Sequence, residues 1–487
     1  MKLNQLTIAE AIKELNNKEI TSVELTKACL ARIKEVDGKI KACLMVCEKE
    51  ALAQAKKADA RRADGETGEL LGIPYLAKDN ILTRGIKTTA ASKILENYIA
   101  PYDATIIKKL KEAGAVLLGK TNLDEFAHGA STENSAYGAT HNPWDLKRVP
   151  GGSSGGSGAA VAADMCLFAL GTDTGGSIRC PAAFCGITGL KPTYGRSSRF
   201  GLMAMTSSTD VPGPLTKTVE DAAIVLSAIA GVDKNDATTV DKILPTTFVK
   251  GGSIKGLKIG LPKEYFIEGT DKGVTEAVEK AIEDLKKLGV KFKQVSLPNT
   301  KYGIPVYYII TPSEVSSNLA RFDGIRYGLS IQDGDRAKAD LMSIYTKSRG
   351  KGFGPEAKRR IMLGTYALSA GYYDAYYLQA QKVRTKIKQE MDKVLESVDC
   401  LLTPTQPTTA FRIGENTQDP LKMYLEDIFV TGASLAGLPA ISIPCGFDKG
   451  LPVGMQLIGK RFDEAMLFRV GHNYEKATEW HFKKAEI

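Results

Sequence analysis

Residues 151–177 read GGSSGGSGAAVAADMCLFALGTDTGGS, two glycine–serine loops (151–158 and 172–177) joined by an apolar segment. Glycine allows a backbone to approach a ligand closely, and serine hydroxyls can act as nucleophiles or relay protons. A flexible linker is one interpretation of the first loop, but linkers do not usually continue into a segment as apolar as AAVAADMCLFALG. A phosphate-binding loop is another, but it requires Gly-Lys-Ser/Thr after its glycines, and SGAA follows here. The stretch therefore predicts a buried active-site scaffold.

The residues before this stretch predict a strand–helix–strand unit. LLGIPYLAKDN (70–80) is an apolar strand that ends in three polar residues, a helix follows around 103–113, and AVLLGKTN (115–122) is a second short strand. This spacing is typical of a βαβ unit in a largely parallel sheet. Ligands of such sheets gather at the carboxyl ends of the strands, and Lys78 lies at such an end.

The first 64 residues predict helices. Thr7 with Glu10, and Thr21 with Glu24, have the spacing of a capping box, in which two side chains satisfy the free N–H groups at the start of a helix. These helices form a layer that packs on something larger.

Composition excludes several classes of protein. The net charge of +9 is spread over 65 basic and 56 acidic residues, which is too dilute to indicate nucleic-acid binding. Eight cysteines without a C-x-x-C pair and four histidines give no metal-ligand cluster. The amphipathic start is not typical of a signal peptide, and no apolar run reaches the ~18 residues of a membrane span. We therefore expect a reduced, cytoplasmic enzyme.

The residue types permit serine-based amide chemistry. A serine nucleophile needs a base and an oxyanion hole, and the glycine loops contain no G-x-S-x-G elbow. Lys78 is a candidate base, since burial disfavours the charged form of lysine; the alternative is an ordinary surface lysine. The N–H groups of residues 174–177 can converge on an oxyanion, and Ser153 can carry a proton between Ser177 and Lys78.

Three motifs resemble the signature of the amidase signature family: GGSSGGS (151–157), GTDTGGSIR (171–179) and PYLAKDN (74–80). By this resemblance the base is Lys78, the bridging serine is Ser153, and the nucleophile is Ser177, while the adjacent Ser154 is structural. The oxyanion hole is implied to be formed by Thr174, Gly175, Gly176 and Ser177.

The resemblance also implies the architecture. We expect a single large α/β domain over 65–487, with a central mixed, largely parallel, twisted sheet covered by helices on both faces, and with the helical layer 1–64 packed on it. The parts of this domain are implied to be a glycine–serine core (70–216), a second α/β part with a helical segment (257–398), and C-terminal strands (399–460). The polar stretch 232–256 predicts a seam between subdomains.

Longer segments resemble one group within that family, the A subunits of glutamyl-tRNA(Gln) amidotransferases. They are residues 131–157, 359–377 and 435–460. This resemblance implies a heterotrimer with the amidotransferase B and C subunits, in which the B subunit uses ATP and magnesium to amidate Glu-tRNA(Gln). The chain itself is then expected to bind no cofactor or metal, to touch tRNA little, and to have no membrane partner.

The same resemblance implies how glutamine is held. Arg360 would pair with its α-carboxylate in fork geometry, and Asp427 with its α-ammonium. Tyr307 or Tyr308 would contact the substrate as well.

Two alternatives remain open. The first is a stand-alone amidase, which would share the serines and the lysine but lack partner subunits. Co-purification with two other chains would distinguish an amidotransferase subunit from it. The second is a non-catalytic scaffold whose glycine loops bind a nucleotide, and an ATP titration tests it.

Overall fold

The structure, a computed structural model, describes residues 2–242, 252–331 and 340–487. Within these ranges all strands belong to one eleven-stranded sheet. In chain order its strands are β1 (Cys43–Val46), β2 (Pro74–Lys78), β3 (Val116–Thr121), β4 (Phe168–Asp173), β5 (Thr188–Lys191), β6 (Val211–Thr216), β7 (Lys258–Pro262), β8 (Lys291–Val295), β9 (Cys400–Pro404), β10 (Ala440–Asp448) and β11 (Leu451–Gly459).

The sheet is mixed, as predicted, with the spatial order β1-β3-β2-β4-β6-β5-β10-β11-β9-β7-β8. Parallel pairs, which we expected to dominate, occur in two groups only, β3-β2-β4 and β9-β7-β8. The other six neighbouring pairs are antiparallel. The α/β class is therefore confirmed, but the share of parallel pairs is corrected: β10 and β11 form a hairpin, and β6 pairs antiparallel with both β4 and β5, so these pairs need no helical crossover.

Fifteen α-helices occur in the described ranges. They are α1 (Ile8–Asn16), α2 (Ser22–Ile40), α3 (Glu48–Ala63), α4 (Thr105–Glu112), α5 (Gly155–Ala162), α6 (Arg179–Cys185), α7 (Val219–Ile229), α8 (Lys272–Lys287), α9 (Gly303–Asn318), α10 (Leu341–Gly352), α11 (Pro355–Ala367), α12 (Gln379–Leu395), α13 (Pro420–Leu425), α14 (Thr431–Ala436) and α15 (Glu464–Ala477). A π-helical turn, Tyr373–Leu378, precedes α12.

Most predicted elements are confirmed. The strand–helix–strand unit is β2, α4 and β3, with β2 and β3 parallel, and both predicted capping boxes form. One prediction is wrong: the region 1–64 is not helical throughout, because β1 extends the sheet by pairing with β3. The predicted seam (232–256) and helical segment (257–398) lie partly outside the described residues, at 243–251 and 332–339.

Apolar side chains form a main core that includes α2, α4, α5, α7, the central strands and α15. A second cluster packs α9 and α12 against β9 and β11. In the described parts of the chain, no helix has both the length and the hydropathy needed to cross a bilayer.

The sheet and two short helices position the glycine–serine loops. Because β2 and β4 are parallel neighbours, their carboxyl ends, Lys78 and Asp173, lie at the same edge of the sheet. Helix α5 begins directly after Ser154, and α6 begins shortly after Ser177. Both loops are therefore fixed at this edge.

Candidate active site

Lys78 ends β2 and is completely buried. Its Nζ donates to three hydroxyls, Ser153 Oγ at 2.8 Å, Ser154 Oγ at 2.8 Å and Thr172 Oγ1 at 2.9 Å. The lysine is therefore held by neutral groups that can both accept and donate protons. Sequence reasoning assigned Ser154 a structural role only and gave Thr172 none, although both lie in the glycine–serine loops.

Burial changes the acidity of this lysine. It lowers the pKa of Lys78 to about 7, although the negative charges of Asp124, Asp173 and Asp210 oppose the shift. A low-dielectric surrounding disfavours the ammonium form, so the neutral amine of Lys78 is populated near neutral pH. A neutral amine can serve as a general base.

The two glycine–serine loops are joined directly. The N–H of Ser154 donates to the carbonyl of Ser177 at 3.1 Å, and the peptide bond between Gly152 and Ser153 is cis. The structure thus joins Ser153 to Lys78 through their side chains and brings the backbone of the adjacent Ser154 against the backbone of Ser177.

The proposed oxyanion loop requires glycine at two positions. A Cβ atom on Gly175 would lie 2.6 Å from the phenolic oxygen of Tyr307, and one on Gly176 would overlap Val430. These close approaches place the N–H groups before Ser177 in a tightly packed turn. Such a turn can direct several N–H groups at one anion.

A buried ion pair between Arg179 and Asp173 stabilises this loop. Arg179 donates to Asp173 through Nε at 3.0 Å and through Nη2 at 2.9 Å, and also to the carbonyl of Gly175 at 3.2 Å. Burial raises the pKa of Asp173, but the guanidinium more than offsets this, so the pKa lies below its usual value. Thr174 is fixed by a 2.7 Å bond from its Oγ1 to Asp210. Arg179 stands in the motif GTDTGGSIR, and sequence reasoning gave it no role.

Arg360 and Asp427 meet at an aromatic cluster beside the loop. Tyr308 donates its hydroxyl to Asp427 Oδ2 at 2.9 Å and stacks on Tyr424 with ring centroids 3.8 Å apart. The Arg360 guanidinium lies 5.1 Å from the centroid of the Tyr308 ring, and its Nε donates to Glu356 at 2.8 Å. The remaining guanidinium nitrogens are the donors that a carboxylate can engage.

Tyr307 and Tyr308 reach the site by different contacts. Tyr307 packs its phenol against Gly175 of the oxyanion loop, whereas Tyr308 holds Asp427. Asp427 Oδ1 would lie 3.6 Å from a Cβ atom on Gly176. The two predicted sets of residues, relay and substrate pocket, therefore adjoin each other across this loop.

A cavity of about 60 Å³ lies beside Arg360. Its lining includes three buried polar atoms, Ser131 Oγ, Glu133 Oε2 and Asn416 Oδ1, which have no hydrogen-bond partner within the described part of the chain. Unsatisfied buried polar atoms are costly, so these three give the cavity hydrogen-bonding capacity that water or a polar ligand would satisfy. Neither Ser177 nor Asp427 is among the residues that line this cavity; Tyr308 lines it and donates its hydroxyl to Asp427. Sequence reasoning gave these three residues no role, although Ser131 and Glu133 lie in the segment 131–157 that carries the resemblance.

Burial raises the pKa of Asp427 to about 6, while the hydrogen bond from Tyr308 and the charge of Arg360 act in the opposite direction. Above this pH the side chain is a buried anion beside Tyr308, which favours a cationic group such as an ammonium.

Comparisons with known proteins agree with this arrangement. The model of the family described as Amidase matches residues 24–468. The chain is 58% identical to the glutamyl-tRNA(Gln) amidotransferase A subunit of Carboxydothermus hydrogenoformans, over the full length of both chains. The crystal structure of the Thermotoga maritima A subunit superposes with a TM-score of 0.80 at 46% identity, covering 97% of this chain and 94% of that one.

A peptide amidase from Stenotrophomonas maltophilia shares the fold as well, with a TM-score of 0.81 and 31% identity over 97% of each chain. The family match covers most of the chain. The chain therefore belongs to the amidase family and, within it, to the group of the glutamyl-tRNA(Gln) amidotransferase A subunits.

Proposed function

We propose that this chain is the glutaminase subunit of a glutamyl-tRNA(Gln) amidotransferase. The observation that supports the proposal is that two sets of groups adjoin each other. Lys78, with a lowered pKa, lies among serine hydroxyls; Arg360 lines the neighbouring cavity, and Asp427 is bonded to Tyr308 of the same lining.

The chemistry follows from the positions of these groups. Ser177 Oγ attacks the side-chain amide carbon of glutamine, and its proton passes through Ser153 to neutral Lys78. The N–H groups of residues 174–177 stabilise the oxyanion. When the tetrahedral intermediate collapses, Lys78 returns the proton through Ser153 to the departing nitrogen, and ammonia leaves. Water then hydrolyses the glutamyl ester by the same relay and releases glutamate.

The finer assignments belong to the same proposal. The related chains are named as A subunits, which supports an assembly with the B and C subunits in the cytoplasm. In that assembly the B subunit would use ATP and magnesium to activate Glu-tRNA(Gln), and the ammonia formed here would amidate it. This chain would hold neither the nucleotide nor the metal.

The alternative is a stand-alone amidase. It is favoured by one observation, the likeness to a peptide amidase across the whole chain. The relay alone does not distinguish the two, since both would hydrolyse an amide. The charged pair Arg360 and Asp427 favours a free amino acid as substrate.

The discriminating experiment is glutamine hydrolysis by the purified chain, alone and then with the B and C subunits, Glu-tRNA(Gln) and ATP. We expect weak hydrolysis alone and a rise when the partners are added. Fast hydrolysis of unrelated amides, unaffected by the partners, would establish the stand-alone amidase instead.

Replacing Arg360 with lysine should raise the KM for glutamine about 10- to 100-fold while kcat changes little. Lysine keeps the charge but loses the planar fork, and a lost hydrogen bond to a charged group costs about 1.5–3 kcal/mol. Steady-state kinetics of the isolated chain measure both constants.

The matched control is Arg349→Lys. Arg349 lies on the neighbouring helix α10 with its guanidinium 5.0 Å from the Phe353 ring, and it donates to backbone carbonyls. This variant should leave the KM within about twofold, as surface changes away from a site usually do. An unchanged KM in Arg360→Lys would remove Arg360 from the glutamine pocket.

A further inference from the structure

Two consecutive acids, Asp124 and Glu125, follow strand β3, and both are buried. Asp124 contacts the loop that carries the bridging serine: its N–H donates to the carbonyl of Ser153 at 3.3 Å, and a side chain on Gly152 would overlap its carboxylate. Its Oδ1 accepts from the N–H of Asn134 at 3.1 Å, and Asn134 lines the cavity. The first acid therefore connects this turn to the relay and to one wall of the cavity.

Glu125 contacts the N-terminal end of helix α11 instead. The N–H of Gly354 donates to Glu125 Oε1 at 3.1 Å and to Oε2 at 2.9 Å, and a Cβ atom on Gly354 would lie only 2.6 Å from Oε2. Ser92 donates its hydroxyl to Glu125 Oε1 and lies 3.2 Å from the carbonyl of Gly352. Glycine and proline, with which this end of α11 begins, have no side-chain acceptor for a helix cap, and Glu125 supplies one from 229 residues earlier in the chain.

Helix α11 brings Arg360 to the cavity. Glu356 and Arg360 are both buried on one face of this helix. Glu356 accepts from Arg360 Nε at 2.8 Å and from the hydroxyl of Tyr424 at 3.2 Å. These bonds fix the guanidinium relative to the helix, so the position of the helix decides how far Arg360 lies from the relay.

We propose that Glu125 is a positioning residue for glutamine hydrolysis, because it holds helix α11 and thereby Arg360 at a fixed place relative to the relay. The inference rests on the proposed function, which puts Arg360 at the α-carboxylate of glutamine, and it adds a residue that acts on the pocket through a helix. The α-carboxylate does not react. Loss of Glu125 should therefore weaken glutamine binding more than it slows the chemical step.

A glutamine side chain at position 125 should preserve this role. Burial raises the pKa of Glu125 to about 7, while the hydrogen bonds from Ser92 and Gly354 act in the opposite direction, so the contact does not need a permanent negative charge. The glutamine amide has the same shape as the carboxyl group. Its oxygen can accept from Gly354, and its nitrogen can donate to Ser92, whose hydroxyl can then donate to Gly352.

Steady-state kinetics of glutamine hydrolysis by the full chain test the role of Glu125. Glu125→Ala should raise the KM for glutamine about tenfold and leave kcat within about threefold, since a misplacement of about 1 Å in a site can cost up to about 100-fold. Glu125→Gln should keep the KM within about threefold of that of the unmodified chain. Rescue by this conservative variant separates a fixed geometry from a need for charge.

The matched control is Glu475→Ala. Glu475 is also buried, and its two carboxylate oxygens accept from the N–H of Val219, at the start of α7, at 3.0 and 2.9 Å. Thr188 donates its hydroxyl to the same group at 3.2 Å. Because α7 carries none of the candidate site residues, Glu475→Ala should lower the melting temperature about as much as Glu125→Ala does, but leave the KM within about twofold.

A double-mutant cycle tests whether Glu125 acts through Arg360. In the Arg360→Lys background, Glu125→Ala should raise the KM by less than about twofold, because the group that Glu125 positions is already altered. Gly354→Ala is a second variant that reaches the same contact, since its Cβ atom would push α11 away from the carboxylate. Alone, it should raise the KM about tenfold as well.

Two results would overturn the inference. One is a KM in Glu125→Ala and Gly354→Ala no higher than in Glu475→Ala. The other is a rise in KM that is undiminished in the Arg360→Lys background, which would make Glu125 a structural residue that acts independently of Arg360. If Glu125→Ala does not fold, Gly354→Ala decides between these outcomes. If the unmodified chain itself hydrolysed no glutamine, the proposed function would fail, and this inference with it.

Discussion

Replacing Ser177 with alanine should reduce glutamine hydrolysis at least about 10⁴-fold while the chain keeps its fold. The substitution removes the only atom that can form the glutamyl ester in the proposed relay, and loss of a nucleophile removes nearly all of the catalysis that its base also serves. The fold should survive because the backbone carbonyl of Ser177, which accepts from Ser154, is unchanged. Turnover assays and thermal unfolding measure the two effects separately.

A matched control comes from the same pair of loops. Ser157 is also buried, but its Oγ contacts Thr121 Oγ1 at 2.7 Å and donates to the Leu170 carbonyl at 3.0 Å, away from Lys78. Ser157→Ala should cost stability, about 1 kcal/mol for the lost hydrogen bond, and leave turnover within a few-fold. Substantial hydrolysis by Ser177→Ala, or a glutamyl ester trapped on another residue, would assign the nucleophile elsewhere.

The sequence could predict what depends on local pattern. The apolar run before Lys78 and the polar residues after it predicted where β2 ends, and the two capping-box spacings predicted where α1 and α2 begin. Residue chemistry made Lys78, Ser153 and Ser177 candidates for a relay, and the family motif assigned the role of each. These features need only neighbouring residues or a known family pattern.

Long-range pairing could not be predicted in the same way. Tyr308 and Asp427 are 119 residues apart, and no local periodicity indicates that their side chains share a hydrogen bond. The antiparallel pairing of β6 with β4 and β5 likewise depends on tertiary packing, which determines strand pairing more than the β-propensity of single residues does. The role of Arg179 could not be predicted from the sequence. It is visible only in the hydrogen bonds that the buried guanidinium donates to Asp173 and to the carbonyl of Gly175.

Lys78 should determine how glutamine hydrolysis depends on pH. The relay needs the neutral amine, so kcat/KM for glutamine should rise about tenfold per pH unit below pH 7 and level off above it. The pH at which kcat/KM levels off is set by the pKa of Lys78, which burial lowers to about 7. Asp427, with a pKa of about 6, must also be ionised to hold an ammonium, so the profile should steepen below that pH.

Lys78→Met should lose nearly all activity at every pH, without losing stability below pH 7. The sign follows from proton binding: the folded-state pKa of Lys78 is lowered, so folding releases a proton between pH 7 and the ordinary lysine pKa of about 10.4. Below pH 7 the folded chain carries the full cost of the buried charge, and methionine removes it. Unfolding in denaturant at pH 6 and pH 9 measures this difference.

Lys191 is the control that distinguishes a lysine acting in the relay from a lysine that is only buried. It too is buried, and its pKa is also lowered to about 7 by burial, but its Nζ donates to the Pro192 carbonyl at 3.1 Å rather than to the serines. Lys191→Met should therefore keep the pH limb near 7, whereas Lys78→Met removes the activity that shows it. If Lys78→Met retained turnover at neutral pH, the base would have to be another group. The lowered pKa of Lys78 would then be a consequence of burial without a catalytic role.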